Sequence, residues 1–228
     1  MSAIAEAERK PLTKKELAAD KPTWCPGCGD FSVLALYFKL LQNRGLHHEK
    51  FATVAGIGCS SRFPYFVQAH GAHYIHGRAL PFATGIALSR QDLDVFVFGG
   101  DGDAFSIGGN HFNHCARKNV NLTYCVMDNN VYGLTKKQTS PTSPIGFKSK
   151  TDMWGAVDKP INPMQQAISA WWKSPSTARP PIKTLRSVSA RPLSLLVVHQ
   201  IMNRHNAATS PGASTTILTG LPVRIVEP

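Results

Sequence analysis

"LDVFVFGGDGDAFSIGG", residues 93–109, joins an apolar run to a glycine-rich stretch that carries two carboxylates, Asp101 and Asp103. A helical stretch, "NHFNHCARK" (110–118), and a second apolar run, "NLTYCVMD" (121–128), follow. Strand, glycine turn, helix and returning strand make one unit of a parallel sheet. A helix start lined by glycine amides attracts phosphate, and Asp101 would repel it unless a cation lies between them. Mg2+ takes oxygen ligands and is commonly held by one or two carboxylates together with substrate phosphates. The turn therefore reads as a metal-bridged diphosphate site. Asp101 supplies the charge, Asn129 a neutral amide oxygen and Val131 a backbone carbonyl. The plainer alternative is that Asp101, Asp103 and Asn129 are ordinary turn residues.

Asp101 and Asn129 stand 28 positions apart. If the two apolar runs are neighbouring strands, about 4.8 Å apart, both residues emerge at carboxyl ends, beside the crevice where open α/β sheets bind ligands. Working outward, "FATVAGIG" (51–58) reads as a buried strand and "LPFATGIALSR" (80–90) as a helix with Pro81 near its start. "FSVLALYFKLLQNRGL" (31–46) is apolar on nearly every face, which predicts a helix buried all round and stopped at Asn43–Gly45. The expected architecture is α/β, a mostly parallel sheet flanked by helices. Three segments are expected: a polar arm (1–20), the α/β domain (21–168) and a divergent basic tail (169–228).

At 228 residues and 43% apolar composition the chain can build one sizeable core. Its net charge of +11 is uneven: after Ile168 there are seven Lys or Arg against one acid, Glu227, which leaves +5 for the first 168 residues. The basicity belongs mostly to the tail, so a nucleic-acid-binding domain is not expected. No window approaches the ~18 apolar residues of a membrane span, and the opening residues lack an export h-region, so the expected location is cytoplasmic. Five cysteines without an export signal favour thiols or metal ligands over disulfides. Cys25 and Cys28 form a CxxC in a Pro-Gly turn, and Cys59 stands in the turn "GIGCSS". From the residues alone the CxxC suits an iron–sulfur pair, a redox disulfide or half a zinc site. Cys115, in a helical stretch, and Cys125, in mid-strand, fit small buried hydrophobes. His70, His73 and His76 recur every third residue, but "GAHYIHG" looks like strand or loop, so the trio is not read as a metal site.

"GDG", twenty-six residues and "NN" (100–102, then 129–130) resembles the thiamine diphosphate motif. With "WCPGCGDF", "GIGCSSRFPYF", "HGRALPFATGIALSR", "VYGLTKKQTSPTSP" and "MWGAVDKPINPMQQAI", residues 21–168 resemble the β subunit of 2-oxoacid:ferredoxin oxidoreductases, particularly those acting on 2-oxoglutarate. The resemblance implies a thiamine diphosphate-binding fold, with Asp101, Asn129 and the Val131 carbonyl on Mg2+. It places Gly100, Gly102, Gly133 and Leu134 along the cofactor, and Gly58, Cys59, Ser60, His76, Gly77 and Arg78 on its other side. His76 is read either as an imidazole beside the reacting centre or as a structural histidine. Arg62, after the "CSS" turn, is a candidate for a substrate carboxylate, which guanidinium matches bidentately, and is the local reason to prefer 2-oxoglutarate over pyruvate. The implied reaction is oxidative decarboxylation to the acyl-CoA, with electrons passed to ferredoxin. An α subunit completes the site, so the chain alone is expected to be inactive.

The family's β subunit holds a [4Fe-4S] cluster through Cys25, Cys28, Cys59 and a fourth cysteine from a C-terminal block that is missing here. The text changes after Ile168: acids nearly vanish and Ser, Thr, Pro and Arg accumulate. The tail is read as an out-of-frame segment, a flexible extension or a basic interaction arm. The alternative function is accordingly a truncated or frame-shifted, non-catalytic subunit with an incomplete iron–sulfur site. A third reading is a small metal-binding interaction module.

Overall fold

The computed structural model describes residues 9–172 and three later strands, 194–199, 215–218 and 224–226; the other residues of the expected tail lie outside it. A capping box of Thr13 and Glu16 starts the short helix α1 (Lys14–Leu17). The turn at Cys25–Cys28 leads into α2 (Asp30–Asn43), which ends at Arg44, with Gly45 beyond it in the left-handed region. Next come β1 (Phe51–Ala55), the single turn α3 (Phe63–Phe66), β2 (His70–His73) and α4 (Ala79–Ser89). The central unit is β3 (Asp94–Gly100), a π-helical turn (Gly102–Ile107), α5 (Gly109–Lys118) and β4 (Thr123–Asp128). A small hairpin, β5 (Val131–Tyr132) with β6 (Gln138–Thr139), precedes α6 (Pro163–Trp172). The last strands are β7 (Ser194–His199), β8 (Thr215–Leu218) and β9 (Arg224–Val226).

The sheet runs β2-β1-β3-β4-β7-β8-β9. The first five strands are parallel; β8 pairs antiparallel with β7, and β9 antiparallel with β8. β7 falls on the apolar run of the tail, and α6 crosses position 168. Alternation along β3 separates two cores. Val95 and Val97 join Val54, Tyr124 and Val126 under α4 and α5. Phe96 and Phe98 point the other way, toward Val33, Leu34, Tyr37, Phe38 and Leu41 of α2. There Phe63 stacks on Phe98, ring centroids 4.1 Å apart. Each such side chain taken fully out of water contributes roughly 1.5–3 kcal/mol, so both faces of the central strands are anchored and their carboxyl ends are held in register.

One expectation changes. α2 is not buried all round: Leu36 is 66% exposed, and Phe31 and Leu40 are also exposed. Its inward stripe packs on one face of the sheet, and a helix lying on a single face leaves its outer apolar residues open. The glycine turn is itself helical. It winds at once into a wide helical turn, in which the Gly108 N–H donates to the Asp103 carbonyl at 3.0 Å, and continues as α5. Among the described residues no helix is long and apolar enough to cross a membrane.

Candidate cofactor site

Register creates the site. Gly100 of β3 lies opposite Met127 of β4, so Asp101 and Asp128 sit side by side at the strand ends. Both are almost fully buried; Asp101 is 2% exposed. The Thr142 hydroxyl lies 2.9 Å from Asp101 Oδ2 and 2.8 Å from Asp128 Oδ1. A hydroxyl has one proton to give, so the two carboxylates compete for it, beside further donors from Ser140 to Asp101 and from Asn130 to Asp128. Burial pushes the Asp101 carboxyl up to about 6; the Ser140 and Thr142 hydroxyls pull it down, and the Asp128 charge adds to the rise. Such a crowded acid pair is an environment that a cation relieves.

The β4 end turns tightly. Asn129 Oδ1 accepts from the Val131 N–H at 3.2 Å, and Asn130 adopts a left-handed conformation, which asparagine tolerates. Asn130 donates from its backbone to Asp128 Oδ1 at 3.0 Å and from its amide to the Thr142 carbonyl at 2.9 Å. Val131 is buried. The Tyr132 hydroxyl donates to the Gly102 carbonyl at 3.2 Å, tying the hairpin to the glycine turn. A side chain at Gly102 would overlap the Tyr132 ring, so only glycine fits there. Gly133 is exposed and Leu134 is 48% exposed, both at the hairpin tip.

Asp103 is the functional residue that the sequence reading missed. Its Oδ1 accepts from the backbone N–H of Ile57 at 2.9 Å and of Gly77 at 2.8 Å, and lies 2.6 Å from His76 Nδ1. One buried carboxylate thus draws the loop after β1 and the "HGR" loop onto the glycine turn. Gly77 has φ +69°, and a Cβ there would lie 2.6 Å from the Gly108 nitrogen. Ser60 is buried with its Oγ toward Gly100, while Gly58 and Cys59 precede it in the same turn. Arg78 caps α4 beside His111.

Two groups of expected site residues remain. Arg62 donates from Nη1 to Thr23 Oγ1 at 2.8 Å, so its guanidinium is engaged with the segment before α2. All five cysteines are free thiols: Cys25 is exposed, Cys28 and Cys59 are half-buried, and Cys115 and Cys125 are in the core. Trp24 Nε1 donates to the Cys59 carbonyl at 2.6 Å, which links the CxxC segment to the "CSS" turn. Burial, with the charge of Asp30 beside it, raises the Cys59 thiol.

Residues 34–190 match the profile of the thiamine pyrophosphate enzymes, C-terminal TPP binding domain. The chain belongs to this family. Within it, this chain is 48% identical over 162 residues to the 2-oxoglutarate oxidoreductase subunit KorB of Mycobacterium tuberculosis, covering 71% of the chain and 43% of that protein. It is 46% identical over 147 residues to the 2-oxoglutarate synthase subunit KorB of Archaeoglobus fulgidus, covering 64% and 55%. Among solved structures it resembles a 2-oxoglutarate:ferredoxin oxidoreductase from Magnetococcus marinus with 2-oxoglutarate, coenzyme A and succinyl-CoA bound. There the TM-score is 0.69 and identity 46%, over 72% of this chain and 56% of that one. The chain spans about half the length of the relatives it matches. The α/β fold with its mostly parallel sheet is the fold of this domain.

The TPP-binding domain's own residues fit a divalent ion with a diphosphate. Asp101, Asn129 and the Val131 carbonyl offer only oxygen, the donor set of Mg2+, and two buried carboxylates, Asp101 and Asp128, stand side by side there. The cysteine corner fits less well. Among the described residues no three His, Cys, Asp or Glu side chains close around a single ion, and the two cysteines beyond Cys25, Cys28 and Cys59 are buried in the cores.

Proposed function

We infer that the chain binds thiamine diphosphate with Mg2+ and serves as the β subunit of a cytoplasmic 2-oxoacid:ferredoxin oxidoreductase, with 2-oxoglutarate as substrate. The observation that carries this reading is the pairing of Asp101 and the Asn129 turn at the ends of neighbouring parallel strands. The similarity to a chain whose structure holds 2-oxoglutarate and coenzyme A supports it. When bound, the cofactor supplies the thiazolium carbon that adds to a 2-oxo group and lets carbon dioxide leave. Asp101 and Asn129 hold the ion, and the Val131 carbonyl completes the protein's share. Gly100 and Gly102 line the diphosphate's place, where the missing side chains make room for Ser60 and the Tyr132 ring.

Asp103 fixes the ring of His76 through Nδ1, which leaves Nε2 of this 29% exposed side chain to donate to or accept from the substrate. Ser60, Gly77 and Arg78 stand on the same side of the crevice, and Gly133 and Leu134 form its rim. Arg62, held through Nη1 by Thr23, keeps other guanidinium N–H groups for a substrate carboxylate. Cys25, Cys28 and Cys59 supply three of the thiolates that a [4Fe-4S] cluster takes; no electron step is assigned to this corner. An α subunit, ferredoxin and coenzyme A are the proposed partners. Co-expression with the neighbouring α subunit should give coenzyme A-dependent dye reduction, faster with 2-oxoglutarate than with pyruvate. Equal rates without coenzyme A, or no reduction with either acid, would count against the reading.

A further inference from the structure

Residues 140–144, Ser-Pro-Thr-Ser-Pro, have the composition of a surface turn, yet Ser140, Thr142 and Ser143 are each at most 6% exposed. The turn closes on itself: the Ser143 N–H donates to the Ser140 carbonyl at 3.1 Å and the Ser140 N–H to Ser143 Oγ at 2.9 Å. Prolines at 141 and 144 fix the backbone and remove two N–H groups that would otherwise need partners. The hydroxyls then face outward from the turn, toward the strand ends. Thr142 reaches both Asp101 and Asp128, Ser143 Oγ donates to the Asn130 carbonyl at 2.6 Å, and Asn130 donates to the Thr142 carbonyl. One five-residue segment thereby stitches the carboxylate at the end of β3 to the asparagine turn at the end of β4. Those are the two halves of the proposed metal site.

We propose that Thr142 is a positioning residue for the cation: its hydroxyl aims the Asp101 carboxylate and, with Ser143 and Asn130, locks the Asn129 turn in place. This rests on the reading of Asp101 and Asn129 as Mg2+ ligands. Residues that orient metal ligands from behind typically set metal affinity by about 10–100-fold.

The test uses the full chain and titrates thiamine diphosphate by calorimetry at several Mg2+ concentrations, in parallel with thermal melting without ligand. Thr142→Val should weaken thiamine diphosphate roughly 10–100-fold and raise the Mg2+ concentration for half-saturation. Thr142→Ser should stay within about threefold of wild type. Wild-type affinity in Thr142→Val, with only the melting temperature lowered, shows a structural role and overturns the proposal while the site reading stands. Unchanged binding in Asp101→Ala overturns the site reading and this proposal with it. If Thr142→Val does not fold, Ser143→Ala unties the same clasp at Asn130. A loss of roughly 3–10-fold is then expected, and wild-type affinity overturns the proposal.

Discussion

The strand-end site and the cysteine corner lie on one chain but are built differently. At the strand ends Asp101, Asp103 and Thr142 are buried, and their hydrogen-bond partners, like those of the half-buried Asn130, come from segments far apart in sequence. At the corner, Cys25 is exposed, Cys28 and Cys59 are half-buried, and the segments are joined through one indole donor. The first region arrives preorganised, whereas the second offers ligands without a closed shell. A diphosphate–metal site needs fixed dipoles before its ligand arrives; a cluster site can be shaped by the cluster that fills it.

Substitutions should separate the two regions, and the largest effect belongs to the strand ends. Asp103→Ala would leave two backbone N–H groups and His76 without their acceptor. It should cost about 3–5 kcal/mol in denaturant melts, the scale for breaking a buried, charge-assisted network. A cost below 1 kcal/mol would mean that the loops do not depend on that carboxylate.

Next is a pH effect that touches both regions. Burial raises Asp101 to about 6, and it also raises Asp30, beside Cys28, to about 6. A raised carboxyl makes the folded state bind more protons than the unfolded state between about pH 4 and 6, so stability falls as pH rises through that window. Each group accounts for on the order of 2–3 kcal/mol. Asp30→Asn and Asp101→Asn should each flatten part of the slope. Adding Mg2+ with thiamine diphosphate should offset the Asp101 part alone.

Gly102→Ala, forced against the Tyr132 ring, should cost about 1–3 kcal/mol by overpacking and loosen the hairpin, visible as faster amide exchange at Val131–Tyr132. The smallest effect belongs to the corner: Cys25→Ser should change stability by less than about 0.5 kcal/mol. In thiol titration Cys25 should react first and Cys59 later, because burial raises it. Cys115 and Cys125, pushed up to about 11 and about 12 by burial, should react only on unfolding.

The strands were legible because β1, β3 and β4 are apolar runs of strand length, and the spacing from Asp101 to Asn129 left room for one crossover helix. The placement of Asp101 and Asn129 at adjacent strand ends was legible because each follows an apolar run of strand length. Asp103 was not legible as a hub, since its partners Ile57 and Gly77 lie 46 and 26 positions away and an acid among glycines looks like a turn residue. The available signal was the second acid of "GDGD", placed where a helix begins and its side chain can turn inward. Thr142 was hidden for the same reason: a Ser-Pro-Thr-Ser-Pro run reads as surface until a buried carboxylate 41 positions earlier demands a donor. The exposed face of α2 was misread because an all-apolar period shows affinity for a core, not how many layers the chain supplies.

The central claim is that Asp101 and the Asn129 turn hold a divalent ion that bridges to a diphosphate. Calorimetric titration of the full chain with thiamine diphosphate, in Mg2+ and in EDTA, tests it most directly. The account predicts saturable binding in Mg2+ that disappears in EDTA and in Asp101→Asn. Binding of equal strength in EDTA, or in the variant with Mg2+ present, would contradict it.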